Sequence, residues 1–148
     1  MRYLLLFFAF AAGAATSVQI PVNASLRTHL SHPMQATFVS FAVGMLVSLA
    51  YCLAAGSSLP TAGGLAKIPW WAWTGGILGT LYVASSIVLS PKIGVAAMLS
   101  MVIAGQMIMS MLIDHFGLLN AAVYPVTTQR FVGAALVAFG ASVMAFGK

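Results

Sequence analysis

Residues 34–55 read MQATFVSFAVGMLVSLAYCLAA, an apolar stretch without a single charged side chain. A helix needs roughly 20 predominantly apolar residues to cross the hydrocarbon core of a bilayer, and this stretch is long enough. Similar stretches occur on both sides of it, so the sequence predicts five spans, at about residues 3–26, 34–55, 69–90, 93–115 and 129–147. We therefore expect an all-α membrane protein in which residues 1–148 form a single domain with five transmembrane helices.

The composition excludes a water-soluble protein. Of the 148 residues, 61% are hydrophobic and only 5% are charged, whereas a soluble domain carries about 25% charged residues. The net charge of +5 comes from cations scattered singly along the chain, so it does not form the basic patch that nucleic-acid binding requires. The sequence thus predicts the lipid bilayer, and not a nucleic acid, as the surroundings of this protein.

The reactive side chains are too few for catalysis or for a bound metal. Cys52 is the only cysteine, which excludes an intrachain disulfide and a cysteine zinc site. His29 and His32 lie in a short loop without a third ligand beside them, so we interpret them as loop residues at the headgroup level. We expect no enzyme activity, no cofactor and no metal.

The connections between the spans carry Gly, Ser and Pro. Pro33 and Pro69 stand where a helix is expected to begin, a favourable place for proline. The segment 56–68 is predicted to form surface turns, and Pro91–Lys92 to form a tight break before the fourth span. The N-terminal segment up to Ala15 resembles a signal peptide, but it runs on to Leu26 and is long enough to span, so we expect it to be retained.

The six basic residues divide equally between the two sides of the membrane, with Arg2, Lys67 and Arg130 on one side and Arg27, Lys92 and Lys148 on the other. A bacterial membrane protein usually fixes its orientation by an excess of Lys and Arg on the cytoplasmic side. Without that excess, a chain can insert both ways, and two copies can form an antiparallel dimer like the inverted repeats of transporters. We expect a ten-helix antiparallel homodimer, or a pairing with an inverted homologue.

Polar residues of the first span share one helical face. Thr16, Gln19 and Asn23 are spaced i, i+3, i+7, and Pro21 between them is expected to kink or open the helix. An unpaired amide facing lipid would cost several kcal/mol, so these groups must face protein, water or substrate. They form either a solute-binding site or a structural link between helices. Other candidates for the solute site are Gln106, Ser40 and Tyr82.

Asp114 is the only acidic residue, and it lies at the end of a span. We predict that it forms a structural ion pair with Arg130. The spans themselves contain no carboxylate, which disfavours proton-coupled export of organic cations and leaves neutral, zwitterionic or anionic solutes. Close helix packing is predicted at the small residues Gly75, Gly79, Gly133 and Gly140.

Several short segments together resemble the YdcZ family, a five-span branch of the drug/metabolite transporter superfamily. They are QIPVN at 19–23, Ala36 with SFAVG at 40–44, WTGGILG at 73–79, PKIG at 91–94, Gly105-Gln106, DHFG at 114–117, and Arg130 with Gly133 and Gly140. The resemblance implies a bacterial inner-membrane protein that transports a solute as an antiparallel homodimer, as a pair of inverted homologues or as one fused chain. The related small multidrug resistance proteins have four spans and a glutamate in the first, and this chain differs in both respects.

The sequence therefore predicts a half-size secondary transporter of a small solute that works by alternating access. Two other functions stay open: a passive channel formed by a dual-orientation dimer, and a non-transport subunit that pairs with an inverted homologue. The identity of the solute, the direction of transport and the coupling ion do not follow from the sequence.

Overall fold

A computed structural model describes residues 1–147 and is 82% helical. Its long helices are α1 (Arg2–Thr28), α2 (Pro33–Ala54), α4 (Thr74–Ile93), α5 (Val95–Phe116) and α6 (Thr128–Phe146), and α3 is a single turn (Ala62–Leu65). A 3-10 turn at Trp70–Trp73 leads directly into α4, so the third span runs from Trp70 to Ile93. Five helices are thus long and apolar enough to cross a membrane, which confirms the predicted number of spans. Lys148, one of the six counted cations, lies outside the described residues.

By its internal contacts the chain divides into two compact units, Met1–Ser90 and Pro91–Lys148. The first unit contains α1, α2, α3 and most of α4, and the second contains α5 and α6. That the whole chain forms a single domain stays a prediction.

In the first unit, α1 and α2 form a hairpin whose turn is fixed by a helix cap. Pro33 is the first residue of α2, and the Nδ1 of His32 accepts a hydrogen bond of 3.2 Å from the backbone N–H of Met34. The side-chain oxygen of Gln35 accepts from the backbone N–H groups of Ser31 and His32. This reciprocal arrangement is a capping box, which satisfies donors that a helix start leaves free. His32 is therefore part of the cap that begins α2.

The packed centre of the first unit consists of Ala36 from α2 with Val83 and Ile87 from α4, each at most 5% exposed. Three partly buried side chains surround this centre, namely Leu26, Leu30 and Tyr82. The ends of α1 and α2 that meet at the hairpin turn are thus held against α4.

The interruptions predicted at two prolines have different outcomes. The helix α1 continues through Pro21 from Arg2 to Thr28, so it does not open at this proline, and a kink there stays a prediction. The break predicted at Pro91–Lys92 is wrong, because α4 continues to Ile93 and Gly94 separates it from α5. Proline removes one backbone donor but has a helical φ, whereas Gly94 adopts φ 85°, ψ 150°, which glycine reaches without a steric penalty. The segment expected to form only turns also contains α3.

In the second unit, α5 and α6 form a hairpin closed by side chains. Gly117 ends α5 in the left-handed conformation, with φ 61°. The Nδ1 of His115 accepts a hydrogen bond of 3.2 Å from the backbone N–H of Val126. The hydroxyl of Thr127 caps α6 by accepting from the backbone N–H of Arg130. The connection 117–127 is therefore tied to α5 before α6 begins.

Candidate functional site

The polar face of α1 is only partly buried. Thr16 is half-buried, and its hydroxyl donates a 3.0 Å hydrogen bond to the backbone carbonyl of Ala12. Gln19 is exposed, whereas Asn23 is 4% exposed. Of the three residues that the sequence placed on one face, Asn23 alone is enclosed by its own chain.

Asn23 continues the side of α1 that packs within the first unit. Ile20, one turn before it, is 2% exposed, and Leu26, one turn after it, packs against the centre at Ala36, Val83 and Ile87. None of the hydrogen bonds among residues 1–147 uses the Asn23 amide, and its polar atoms are not fully enclosed. A nearly buried amide can donate two hydrogen bonds and accept others, so Asn23 offers recognition capacity that the described chain does not use.

The lesser candidates of the first unit lie near this centre. Ser40 and Tyr82 are half-buried, and Tyr82 packs against the central cluster. Neither Thr37, which is 1% exposed, nor Ser86, which is 2% exposed, was among the site residues predicted from the sequence.

The hydroxyls of Thr37 and Ser86 donate to carbonyls of their own helices, those of Pro33 at 3.2 Å and Val83 at 2.8 Å. Such hydroxyls satisfy themselves within a helix, so nothing in the sequence required them to be buried. A signal was available for Thr37, because it lies between Ala36 and Ser40, which the sequence had already marked.

Gln106 belongs to the second unit and is exposed near the middle of α5. On the same helix, the half-buried Ser100 donates to the carbonyl of Ala97 at 2.9 Å and lies 3.5 Å from the carbonyl oxygen of Ala141 in α6. Ser100 thus contributes to the pairing of α5 with α6, whereas Gln106 is exposed in the single chain.

The four glycines at which close helix packing was predicted differ in their surroundings. A Cβ added to Gly79 would lie 3.5 Å from the Cζ of Phe41 in α2, so these two helices approach each other there. Nothing lies within 4 Å of a Cβ added to Gly75, Gly133 or Gly140. Within residues 1–147, these three glycines face open space and are free for contacts with lipid or another chain.

The structure brings Asp114 and Arg130 together. The Nη2 of Arg130 lies 2.6 Å from the Oδ2 of Asp114, and the side chains are 40% and 30% exposed, respectively. The Nη1 of Arg130 also donates to the backbone carbonyl of Tyr124 at 3.0 Å, and its guanidinium lies 5.9 Å from the centre of the Tyr124 ring. The sole acid of the chain is thus engaged in closing the α5–α6 hairpin.

Each unit also contains a surface cavity. The one in the second unit has a volume of about 470 Å³ and lies between α5 and α6, where His115 is the polar residue of its lining. The one in the first unit has a volume of about 400 Å³ and is lined by residues of α2 and α4, with His32 and Ser85 as its polar members. Neither of these two cavities is lined by Gln19, Asn23 or Gln106, so the predicted solute site does not coincide with them.

A family model described as "Putative inner membrane exporter, YdcZ" matches residues 4–143. The chain belongs to the YdcZ family. The match begins in α1 and ends in α6, so it includes all five membrane-spanning helices. As a YdcZ-family protein with five apolar helices, the chain is a multi-pass inner-membrane protein of a transporter family. No curated protein and no solved structure matches it.

Proposed function

We propose that this protein is a half-size secondary transporter of the bacterial inner membrane. Two copies would pair in opposite orientations and form a ten-helix unit that works by alternating access. The cargo would be a small polar solute that is neutral, zwitterionic or anionic. Residues from both copies would line its path, with Asn23, Gln19 and Gln106 at the centre and Thr16, Ser40 and Tyr82 around them.

The observation that carries this proposal is the exposure of two amides inside apolar helices. Gln19 in α1 and Gln106 in α5 are both exposed in the single chain. Facing lipid, each unpaired amide would cost several kcal/mol. A second copy or a water-filled path would supply the missing hydrogen-bond partners, and both are features of the proposed transporter.

The limited packing of the single chain also supports association. In the apolar windows of the five spans, only 6% to 17% of the residues are buried. Gly133 and Gly140 of α6 have open space around them, and small residues of this kind let helices approach closely in lipid. The balanced basic residues favour an inverted second copy over a parallel one.

The chemistry of the candidate residues limits the cargo. Amides and hydroxyls donate and accept hydrogen bonds without a net charge, so they suit polar solutes. The chain has one acidic residue, and that residue is paired with Arg130 at the end of α5. The proposal therefore contains no carboxylate proton carrier within the spans, and it keeps both facilitated diffusion and solute exchange open as transport modes.

The dimer is tested by measuring topology in cells. Two C-terminal fusions are compared, one with a reporter active only in the cytoplasm and one with a reporter active only outside it. Comparable signal from both fusions is the expected result. Signal from a single fusion would contradict dual orientation and would direct the search to an inverted homologue.

The site is tested by uptake into vesicles that contain purified protein. The probes are radiolabelled amino acids, small carboxylates and sugars, each assayed for saturation and for counter-transport. We expect Asn23→Ala to reduce saturable uptake of the accepted probe at least tenfold, while Ser25→Ala, an exposed neighbour on α1, leaves it unchanged. Flux without saturation or counter-transport would identify a channel instead. An intact Asn23→Ala dimer with normal uptake would show that the pocket is wrongly assigned, and no flux of any probe would favour a non-transport subunit.

A further inference from the structure

The cavity between α5 and α6 has one polar end and an apolar interior. His115 lies at its polar end, in the last turn of α5, and the walls that extend from there are formed by Ile108, Leu112, Phe131, Ala134 and Ala138. From His115 to Ile108 the cavity follows α5 for about 10 Å, at 1.5 Å per residue. This is the shape of a site for an amphiphile, with a head at the helix ends and an alkyl chain directed into the membrane.

The hydrogen bond made by His115 determines what its other nitrogen can do. Nδ1 accepts from the backbone N–H of Val126 at 3.2 Å. A neutral imidazole whose Nδ1 accepts carries its proton on Nε2. The ring is exposed and lines the cavity, so the Nε2–H is a free donor at the polar end.

Arg130 places a cation close to the same end. It does not itself line the cavity, but it precedes the lining residues Ala134 and Ala138 by one and two turns on α6 and is the chain neighbour of Phe131, another lining residue. Its guanidinium uses Nη2 for Asp114 and Nη1 for Tyr124, and 40% of the side chain is still exposed. Arginine has five N–H donors in all, so donors are left for a further acceptor group.

We infer that this cavity binds a phospholipid of the surrounding bilayer, with an acyl chain between α5 and α6 and the phosphate held by His115 and Arg130. The apolar walls match a hydrocarbon chain, and the free donors match the phosphate oxygens. The position at the ends of two membrane-spanning helices puts these donors at headgroup depth. This site is separate from the proposed solute path and does not depend on it.

The inference is tested by native mass spectrometry of the purified full chain. The probes are phosphatidylglycerol and a diacylglycerol with the same acyl chains, which lacks the phosphate. We expect at least about tenfold more retained phosphatidylglycerol than diacylglycerol, since a hydrogen bond to a charged group is worth about that factor. The charge of Arg130 adds little to this preference, because the Asp114 carboxylate lies 2.6 Å from its guanidinium. Equal retention by the wild-type protein would overturn the inference, whatever the variants do.

Two variants distinguish binding of the lipid's phosphate headgroup from binding of its acyl chain. His115→Phe keeps a ring but removes the Nε2–H, and it should lower the preference for the phosphate by about tenfold, the equivalent of a hydrogen bond to a charged group. Ala138→Phe fills the cavity and should displace both lipids, while Leu136→Phe, on a 66% exposed side chain of the same helix outside the cavity, should displace neither. Unchanged lipid retention in Ala138→Phe would show that lipid does not occupy the cavity. The same would follow if Ala138→Phe dissociated a dimer of the protein and released no lipid.

Discussion

The carboxylate of Asp114 lies 2.6 Å from the guanidinium of Arg130 and joins the last turn of α5 to the first turn of α6. Each charge stands at the unfavourable end of its own helix, because a helix C-terminus repels an anion and a helix N-terminus repels a cation. The pair therefore compensates two unfavourable positions at once. The contact between α5 and α6 in the hairpin, and not either helix alone, explains why an acid stands at position 114 and a base at position 130.

Exchanging the two charges should preserve the hairpin. In the double variant Asp114→Arg with Arg130→Asp, each charge moves to the favourable helix end, which is worth about 0.3–1 kcal/mol per charge. The bond from Arg130 to the Tyr124 carbonyl is lost, at a cost of about 1 kcal/mol. The free energy of unfolding in detergent should thus stay within about 1 kcal/mol of the wild type. Asp114→Arg alone places two cations together and should be the least stable; equal stability of this variant and the double variant would contradict the pairing.

The cap of α2 depends on an acceptor at His32. His32→Ala removes the acceptor for the Met34 N–H and should lower the free energy of unfolding by about 1 kcal/mol, the usual value for a helix cap. His32→Asn supplies another good cap residue and should restore most of the loss. Equilibrium unfolding in a denaturing detergent measures the free energy of unfolding of both variants. An equal loss of this free energy in the two would show that the imidazole ring stabilises the protein in some way other than capping.

Truncation of a buried side chain in α4 should cost far more than truncation of an exposed one. Ile87 is 2% exposed in the packed centre, while Ile77 on the same helix is 62% exposed. In lipid the transfer term is small, since the surroundings are as apolar as the side chain, and the cost comes from lost packing. Ile87→Ala should lower the free energy of unfolding by about 2 kcal/mol, and Ile77→Ala by less than about 0.5 kcal/mol. Similar losses in both would mean that the centre formed by Ala36, Val83 and Ile87 is not the tight part of this unit.

Two glycines of the region between α4 and α6 should respond to alanine in opposite directions. Gly94 has a φ of 85°, which strains any residue with a Cβ, so Gly94→Ala should destabilise the protein by at least about 1 kcal/mol. Gly105 is helical and has open space around an added Cβ, so Gly105→Ala should be neutral or should stabilise by about 0.5–1 kcal/mol. Thermal unfolding of the two variants under identical detergent conditions decides this. A neutral Gly94→Ala would place the break between α4 and α5 elsewhere.

The number of helices was predictable because each apolar stretch is long enough to span, and lipid allows only a hydrogen-bonded helix there. The break at Gly94 was predicted three residues too early, since proline is the more visible signal although glycine alone can adopt the required φ. The polar face of α1 was predictable from its spacing. Its division into a buried Asn23 and an exposed Gln19 was not, because spacing defines a face but not the neighbours that cover it.

By itself, the sequence determined that the chain has five helices long and apolar enough to cross a membrane and that polar side chains lie within α1 and α5, because composition and helical periodicity are local properties. It also placed the two charges that meet at the ends of α5 and α6. The tertiary structure alone decided that Ala36, Val83 and Ile87 form a packed centre, that Thr37 and Ser86 are buried with their own hydrogen bonds, and that His115 lines a cavity with one free donor. These features depend on which helices are neighbours, and in an almost uniformly apolar chain many residues are equally suited to packing, so contacts in three dimensions determine which of them are used.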